Sequence, residues 1–367
     1  MKYLFVVQGE GRGHLTQAIR LMQLLEKHGH EVVSVMIGCS RKRSIPPFFK
    51  AKIGLDLVHF QSPNFMPVSQ EKKPYIWASL LYNILLLPTY IESILSIRKT
   101  IKEKQPDIVI NLYDLLCGIT YGVFKPAPPM VNIAHQYFFL TSNFKYSGNK
   151  KFQFYLLNLY SKLTTLNASR ILALSFRNEQ VEQYEPITVV PPLIRDEILD
   201  MQTSKGEYIH GYLLNDGFVA EVLEWSNVHR EVKLHFFWDK HAAERIVCMN
   251  DNLTMHALSD DRFIKFMAGA KAFATTGGFE SVCEALYLQK PVLMVPVHIE
   301  QECNVIDALN SGVGVWSAKF DLDALIECEL KYEPNAEFRI WANAAERVFL
   351  HELTSFELCE NNVYFAI

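Results

Sequence analysis

The sequence predicts an α/β protein built from two doubly wound domains, and three observations carry that prediction. Apolar, β-branched runs alternate with helix-period stretches along most of the chain. Two strand-to-helix junctions are glycine turns, Gly9 to Gly13 and Gly277-Gly278. At 367 residues, the chain exceeds what one hydrophobic core usually supports.

The run Tyr3 to Val7, the glycine turn and an apolar stripe at Leu15, Ala18, Ile19, Met22 and Leu25 read as strand, loop and helix, with Gly29 at the helix end. Glu31 to Ile37 is a valine-rich second strand, so the opening is a βαβ unit with parallel, buried strands. Further strands are expected at Leu55 to Phe60, Asp107 to Leu112, Met130 to Ala134 and Arg170 to Leu174. Pro191-Pro192 then fixes an extended dipeptide, a natural boundary. A second α/β domain follows, with strands expected at Glu207 to Leu213, Lys233 to Phe237, Arg245 to Met249, Ala272 to Thr275 and Pro291 to Val295. Helical spacing from Ala336 to Leu353 closes the chain. The expected division is 1–190, 191–345 and a helical tail at 346–367 that packs back on the first domain.

With 49% hydrophobic and 21% charged residues, the composition excludes disordered and collagenous classes. A net charge of -4 gives no electrostatic reason to expect nucleic acid as a partner. Seven scattered cysteines without a CxxC pair indicate neither a disulfide framework nor a zinc ribbon, so a reducing compartment is expected. The N-terminal run is too short for a signal peptide, which points to the cytoplasm. Tyr75 to Ile91 departs from this pattern, with 17 consecutive uncharged residues interrupted by Pro88. A buried or acceptor-side helix is one reading. The other is an interfacial anchor at the inner face of the membrane, since Arg41, Lys42, Arg43, Lys50, Lys52, Lys72 and Lys73 precede it.

Gly9-Glu10-Gly11-Arg12-Gly13-His14 occupies the first strand-helix turn, where glycines let backbone approach a ligand. The spacing is not GxGxxG, and Ile37-Gly38-Cys39 lacks the acid that would hold a ribose, so a nicotinamide cofactor is disfavoured. His14 at this mouth suits a general base acting on a hydroxyl. Asp114, after its own strand, is a candidate to orient it, or else caps the next helix. In the second domain, Thr275-Thr276-Gly277-Gly278 ends a strand and Glu280-Ser281-Val282-Cys283-Glu284 opens a helix. The turn offers helix N-terminal N–H groups to a diphosphate without a metal. Ser281 and Glu284 share one helical face, where the carboxylate could accept ribose hydroxyls. The loop Pro296 to Gln301 puts Glu300 and Gln301 where sugar hydroxyls could be read, and Asn304 follows.

The stretch FATTGGFESVCEALYLQKPVLMVPVHIEQECN resembles the donor signature of GT-B-fold glycosyltransferases, both the UDP-glycosyltransferases and the bacterial MurG-like enzymes of peptidoglycan synthesis. GEGRGHLTQA resembles their acceptor-side loop, Gly11, Arg12, Gly13 and the histidine included. The resemblance implies the GT-B fold, two Rossmann-like domains facing across a cleft. It implies that Thr276, Gly277, Gly278 and Ser281 hold the donor diphosphate, Glu284 the ribose, and Glu300 with Gln301 the sugar. His14 would be the base with Asp114 its partner, and Arg195 would be the arginine found after the interdomain segment of MurG-like enzymes. Thr276 stands where many plant-type members carry a phosphate-contacting histidine, and Gln289 where a glycine is usual.

The implied activity is inverting transfer of a sugar, hexosyl in type, from a nucleoside diphosphate donor, UDP by family, to a hydroxyl acceptor. That acceptor could be lipid-linked or an envelope glycan precursor. The nucleotide sugar is a co-substrate, with no cofactor and no metal expected. A nucleotide-sugar 2-epimerase on the same fold would carry an arginine-rich loop where Val295 to Gln301 stands, and a non-catalytic sensor would be expected to lose His14 while keeping Glu284.

Overall fold

The computed structural model describes residues 1–41, 43–63, 83–182, 186–238 and 246–361, with side chains as far as residue 355. The first sheet comprises β1 (Lys2–Gln8), β2 (Glu31–Cys39), β3 (Leu57–Gln61), β4 (Ile108–Leu112), β5 (Met130–Ala134), β6 (Arg170–Leu174) and β7 (Ile187–Val190). Its order is β3-β2-β1-β4-β5-β6-β7, parallel throughout. Strands covered on both faces read as unbroken apolar runs, and Tyr3 to Val7 are all fully buried. The order reverses between β1 and β4, which opens a crevice at the carboxyl edge there. Helices α1 (Arg12–Lys27), α2 (Pro47–Ile53), α3 (Leu87–Lys104), α4 (Leu115–Phe124) and α5 (Lys151–Thr164) cover this sheet, and the short α6 (Asp196–Leu199) lies in the crossing between the sheets.

The second sheet runs β10-β11-β9-β8-β12-β13-β14. In chain order its elements are β8 (Tyr208–Leu213), α7 (Val219–Val228), β9 (Lys233–Trp238), β10 (Ile246–Cys248), β11 (Leu253–Ala257), α8 (Asp260–Gly269), β12 (Ala272–Thr275), α9 (Phe279–Tyr287), β13 (Val292–Met294), α10 (Ile299–Asn310), β14 (Val315–Trp316) and α11 (Leu322–Leu330). Only the edge pair β10 and β11 is antiparallel. Here the order reverses between β8 and β12, so the turn after β12 faces the crevice of this sheet.

The chain ends in α12 (Ala336–Asn343) and α13 (Ala345–Asn361). The latter returns to the first sheet, where Phe349 and Leu353 are fully buried, Tyr3 Oη donates to Leu353 O (3.5 Å) and Lys27 pairs with Glu346 (2.9 Å). The two sheets' layers are bonded to each other around the cleft. His135, after β5, stacks on Phe279 with ring centroids 3.9 Å apart, Arg177 pairs with Asp307 of α10 (2.8 Å), and Trp341 Nε1 donates to Ser175 O (3.0 Å). One cluster of buried side chains runs continuously from the first sheet to α9 and α13.

Candidate active site

Two helix N-termini face each other across the cleft. On the first-sheet side, α1 begins at Gly11 without a side-chain cap, with Gly11 open, Arg12 lying over the Phe48 ring at 5.3 Å, and His14 in the first turn. On the other side, α9 begins at Gly278, again without a side-chain cap, leaving the first-turn N–H groups to face an anion. Gly277 turns the chain there at φ +81, a left-handed conformation natural to glycine, and a Cβ would stand 3.0 Å from Val305.

His14 is half-buried. Its Nδ1 lies 3.1 Å from Gln17 Oε1, and its ring stacks on Tyr113 (5.5 Å, 26°). Burial pushes its pKa down, while the nearby Glu300 carboxylate and the Gln17 bond pull it up. Tyr113, which the sequence reading passed over, holds this position from a left-handed backbone (φ 64), with its hydroxyl bonded to Ser161 Oγ at 2.7 Å. A tyrosine at positive φ is strained by about 1–3 kcal/mol.

Asp114 sits at the same sheet edge but does not bond His14, which corrects the expected pair. Its Oδ1 accepts from Leu116 N (2.9 Å) and Cys117 N (3.0 Å) as the cap of α4, and its Oδ2 accepts from Ser62 Oγ (2.7 Å). Burial raises its pKa to about 6 against those bonds. The capping alternative accounts for the two amide contacts, and Ser62 occupies the other carboxyl oxygen.

Arg195 also departs from its expected place. Instead of standing free at the diphosphate turn, it is buried, 7% exposed, and forks onto Glu284, Nε to Oε1 at 2.5 Å and Nη2 to Oε2 at 2.8 Å, with Nη1 on Asp260 Oδ1 at 2.5 Å. Glu284 is 1% exposed and both its oxygens are taken by the guanidinium. Such bidentate pairing fixes carboxylate orientation as well as charge.

The remaining expected residues gather at the turn. Thr276 is buried and accepts from Gln301 Nε2 (3.3 Å), whose Oε1 accepts from Val297 N (2.9 Å). Asn304 Nδ2 donates to Gly277 O (3.0 Å), and Ser281 Oγ donates to Gly278 O (3.1 Å). Glu300 and Gln301 belong to the first turn of α10 rather than to a loop, since acids are favoured at a helix N-terminus. Glu300 Oε1 accepts from Gln136 Nε2 of the first domain (2.8 Å).

Glu280, quoted in the motif but given no role, reaches across the cleft. Its Oε1 accepts from Gln17 Nε2 (2.5 Å), its Oε2 is buried with no partner, and burial raises its pKa to about 8, opposed by the Gln17 bond. Only its spacing beside Ser281 could have flagged it. Among the described residues, no cluster of three His, Cys, Asp or Glu is placed to hold a metal ion.

The fold is similar to that of solved glycosyltransferase structures. The kitacinnamycin glycotransferase is 16% identical, with 96% of this chain and 98% of that one covered and a TM-score of 0.64. UGT2 of Phytolacca americana, solved with UDP-2fluoro-glucose and pterostilbene, is 15% identical (99% and 98% covered, TM-score 0.59). UGT89C1 of Arabidopsis thaliana, solved with UDP-L-rhamnose, is 12% identical (99% and 98%, TM-score 0.57). Comparison with curated protein sequences finds no match. The family model described as glycosyl transferase family 1 matches residues 1–329. With the GT-B fold and a family match over most of its length, the chain belongs to glycosyl transferase family 1.

Proposed function

We propose that this glycosyltransferase moves a hexose from a UDP-sugar to a hydroxyl acceptor with inversion, using His14 as base and no metal. The observation that carries the reading is the meeting of His14 with the glycine turn of the donor-side helix across one cleft, linked by Gln17 and Glu280. In this reading, the acceptor oxygen attacks the anomeric carbon as its proton passes to His14, the bond to the diphosphate breaks, and UDP leaves onto the N–H groups of α9. UDP-sugars are the donors bound by the Phytolacca and Arabidopsis structures, which supports UDP here. Asp114 makes no direct contact with His14 and caps α4 instead.

Isothermal calorimetry against UDP-, GDP- and dTDP-sugars in EDTA tests donor and metal together. Binding is expected for a UDP-sugar with chelator present; binding only after adding divalent metal would remove the metal-free cradle. In the same titration, Glu284→Ala is expected to weaken donor affinity roughly 10- to 150-fold, the worth of one charged hydrogen bond. An unchanged Kd would take Glu284 out of the ribose site.

The acceptor is proposed to be lipid-linked, reached by peripheral contact with an anionic membrane. Of the Tyr75 to Ile91 stretch, residues 75–82 lie outside the described residues, but Ile84, Leu85, Leu87 and Ile91 are 51%, 73%, 53% and 58% exposed. Phe152, Tyr155 and Leu159 of α5 are exposed as well, and α4 packs between α3 and α5. The spans 83–104, 115–125 and 150–166 hold eight Lys or Arg against two Glu, in a chain of net charge -4. Apolar side chains among basic ones suit an interface. None of the described helices is long and apolar enough to cross a membrane. Flotation with phosphatidylglycerol vesicles at low salt should carry the protein up and Leu85→Glu/Leu87→Glu should leave it behind; wild-type protein remaining at the bottom would refute the contact.

A further inference from the structure

A neutral imidazole works as a base through one nitrogen only, and the bond made by the other nitrogen decides which one that is. His14 Nδ1 meets Gln17 Oε1 at 3.1 Å, and the opposite end of the same amide, Nε2, donates to Glu280 Oε1. The amide therefore has one acceptor end and one donor end, each committed to a different domain. With Glu280 ionised, reversing the amide would set its oxygen against a carboxylate oxygen, so ionised Glu280 holds the amide with Oε1 towards His14. An amide oxygen there requires a hydrogen on His14 Nδ1, which leaves Nε2 as the basic nitrogen.

We propose that Gln17 is the positioning residue that fixes the tautomer of His14, and that Glu280 makes this conditional on the two domains being closed on each other. The proposal rests on the reading of His14 as the base and adds what orients it, a role expected of Asp114 but not filled by it. Three features support the cross-domain part. Gln17 is 3% exposed, so its amide has no water to exchange partners with. Gly13 makes room for the contact, since a Cβ there would lie 3.2 Å from Glu280 Cγ. Among the described residues, Glu280 Oε2 is buried without a partner, and the Gln17 bond anchors that carboxyl group in the cleft. Opening the cleft would remove the donor's partner and free the amide to rotate, losing the tautomer before any acceptor is committed. The charged groups facing the pair are Glu300 towards His14, and Glu284 and Arg195 towards Glu280.

The test reads the tautomer directly in the full-length protein without substrate. In protein labelled with 15N-histidine, the His14 signals are assigned by their absence in His14→Ala. Above pH 8, where Glu280 is ionised, the wild type is expected to have hydrogen on Nδ1 and a bare Nε2. Gln17→Ala and Glu280→Ala should each lose the preference for the Nδ1–H form. The double variant Gln17→Glu/Glu280→Gln reverses the polarity of the cross-domain bond while keeping an acceptor at His14, and should regain the Nδ1–H form. A wild-type His14 hydrogenated on Nε2, a Gln17→Ala protein with the wild-type tautomer, or no recovery in the double variant would each overturn the proposal. UDP release from UDP-glucose, measured for His14→Ala, tests the base separately: loss of turnover there alongside an unchanged tautomer in Gln17→Ala would keep the base and discard the orienting pair.

Discussion

His14→Ala is expected to lower kcat by about 10²- to 10⁴-fold while leaving donor affinity within a few-fold of wild type. The imidazole is the proton acceptor in the proposed step, and its hydrogen bond goes to Gln17 rather than to the donor turn. Removing it should raise the barrier without changing the N–H groups that hold the diphosphate. The pH dependence follows from its surroundings. Burial lowers the pKa of His14 from 6.5, and the bare imidazole is the active form. Activity should therefore rise with pH through a midpoint below 6.5 and level off above it. Glu300 pulls in the opposite direction, so Glu300→Gln should move that midpoint further down. Wild-type turnover in His14→Ala would assign the base elsewhere, and a midpoint above 6.5 would contradict the burial argument.

What could be read from the sequence divides by the range of the interactions involved. Strands β1 to β6 of the first sheet were legible because burial on both faces demands apolar runs, as in Tyr3 to Val7 and Met130 to Ala134, whereas β7 was not expected as a strand. Strand β11 was not, since Thr254 and His256 break its run, and β14 has only two residues. Both glycine turns were legible because their geometry is local: Gly277 needs a positive φ wherever the rest of the chain goes. The partners of the polar groups were not. Asp114 as cap and Asp114 as partner of His14 fit the same sequence equally well; its bonds from the α4 amides show the cap, and Ser62, 52 residues away, takes its other oxygen. Gln17 and Glu280 lie 263 residues apart in chain order, with no periodicity to connect them. Glu284 was read as the ribose ligand, but that Arg195 would fill both its oxygens could not be read from either residue's neighbours.

That pairing sets the second large effect. Arg195 lies in the crossing between the sheets, and among the described residues its guanidinium is the one cation bonded to Glu284, whereas Asp260 also has Lys52 at 3.2 Å. Arg195→Ala would leave Glu284, 1% exposed, as a buried carboxylate without a counter-charge, and removing one partner of a buried pair typically costs about 3–5 kcal/mol. A matching fall in the urea midpoint of unfolding is expected, followed by tryptophan fluorescence. The cost should arise from the stranded charge rather than from the lost contact. Arg195→Met/Glu284→Leu, which replaces both groups with apolar ones of similar size, should therefore recover most of the midpoint, because desolvating the ions offsets much of their attraction. Lys52 would continue to hold Asp260 in both proteins. The double variant also separates two roles that meet on one carboxylate: stability should return while donor affinity stays low, since Glu284 is the proposed ribose ligand. An Arg195→Ala protein that unfolds at the wild-type midpoint would show that the pair contributes nothing to stability. If the double variant is stable and still binds donor at wild-type strength, the ribose is held elsewhere on α9.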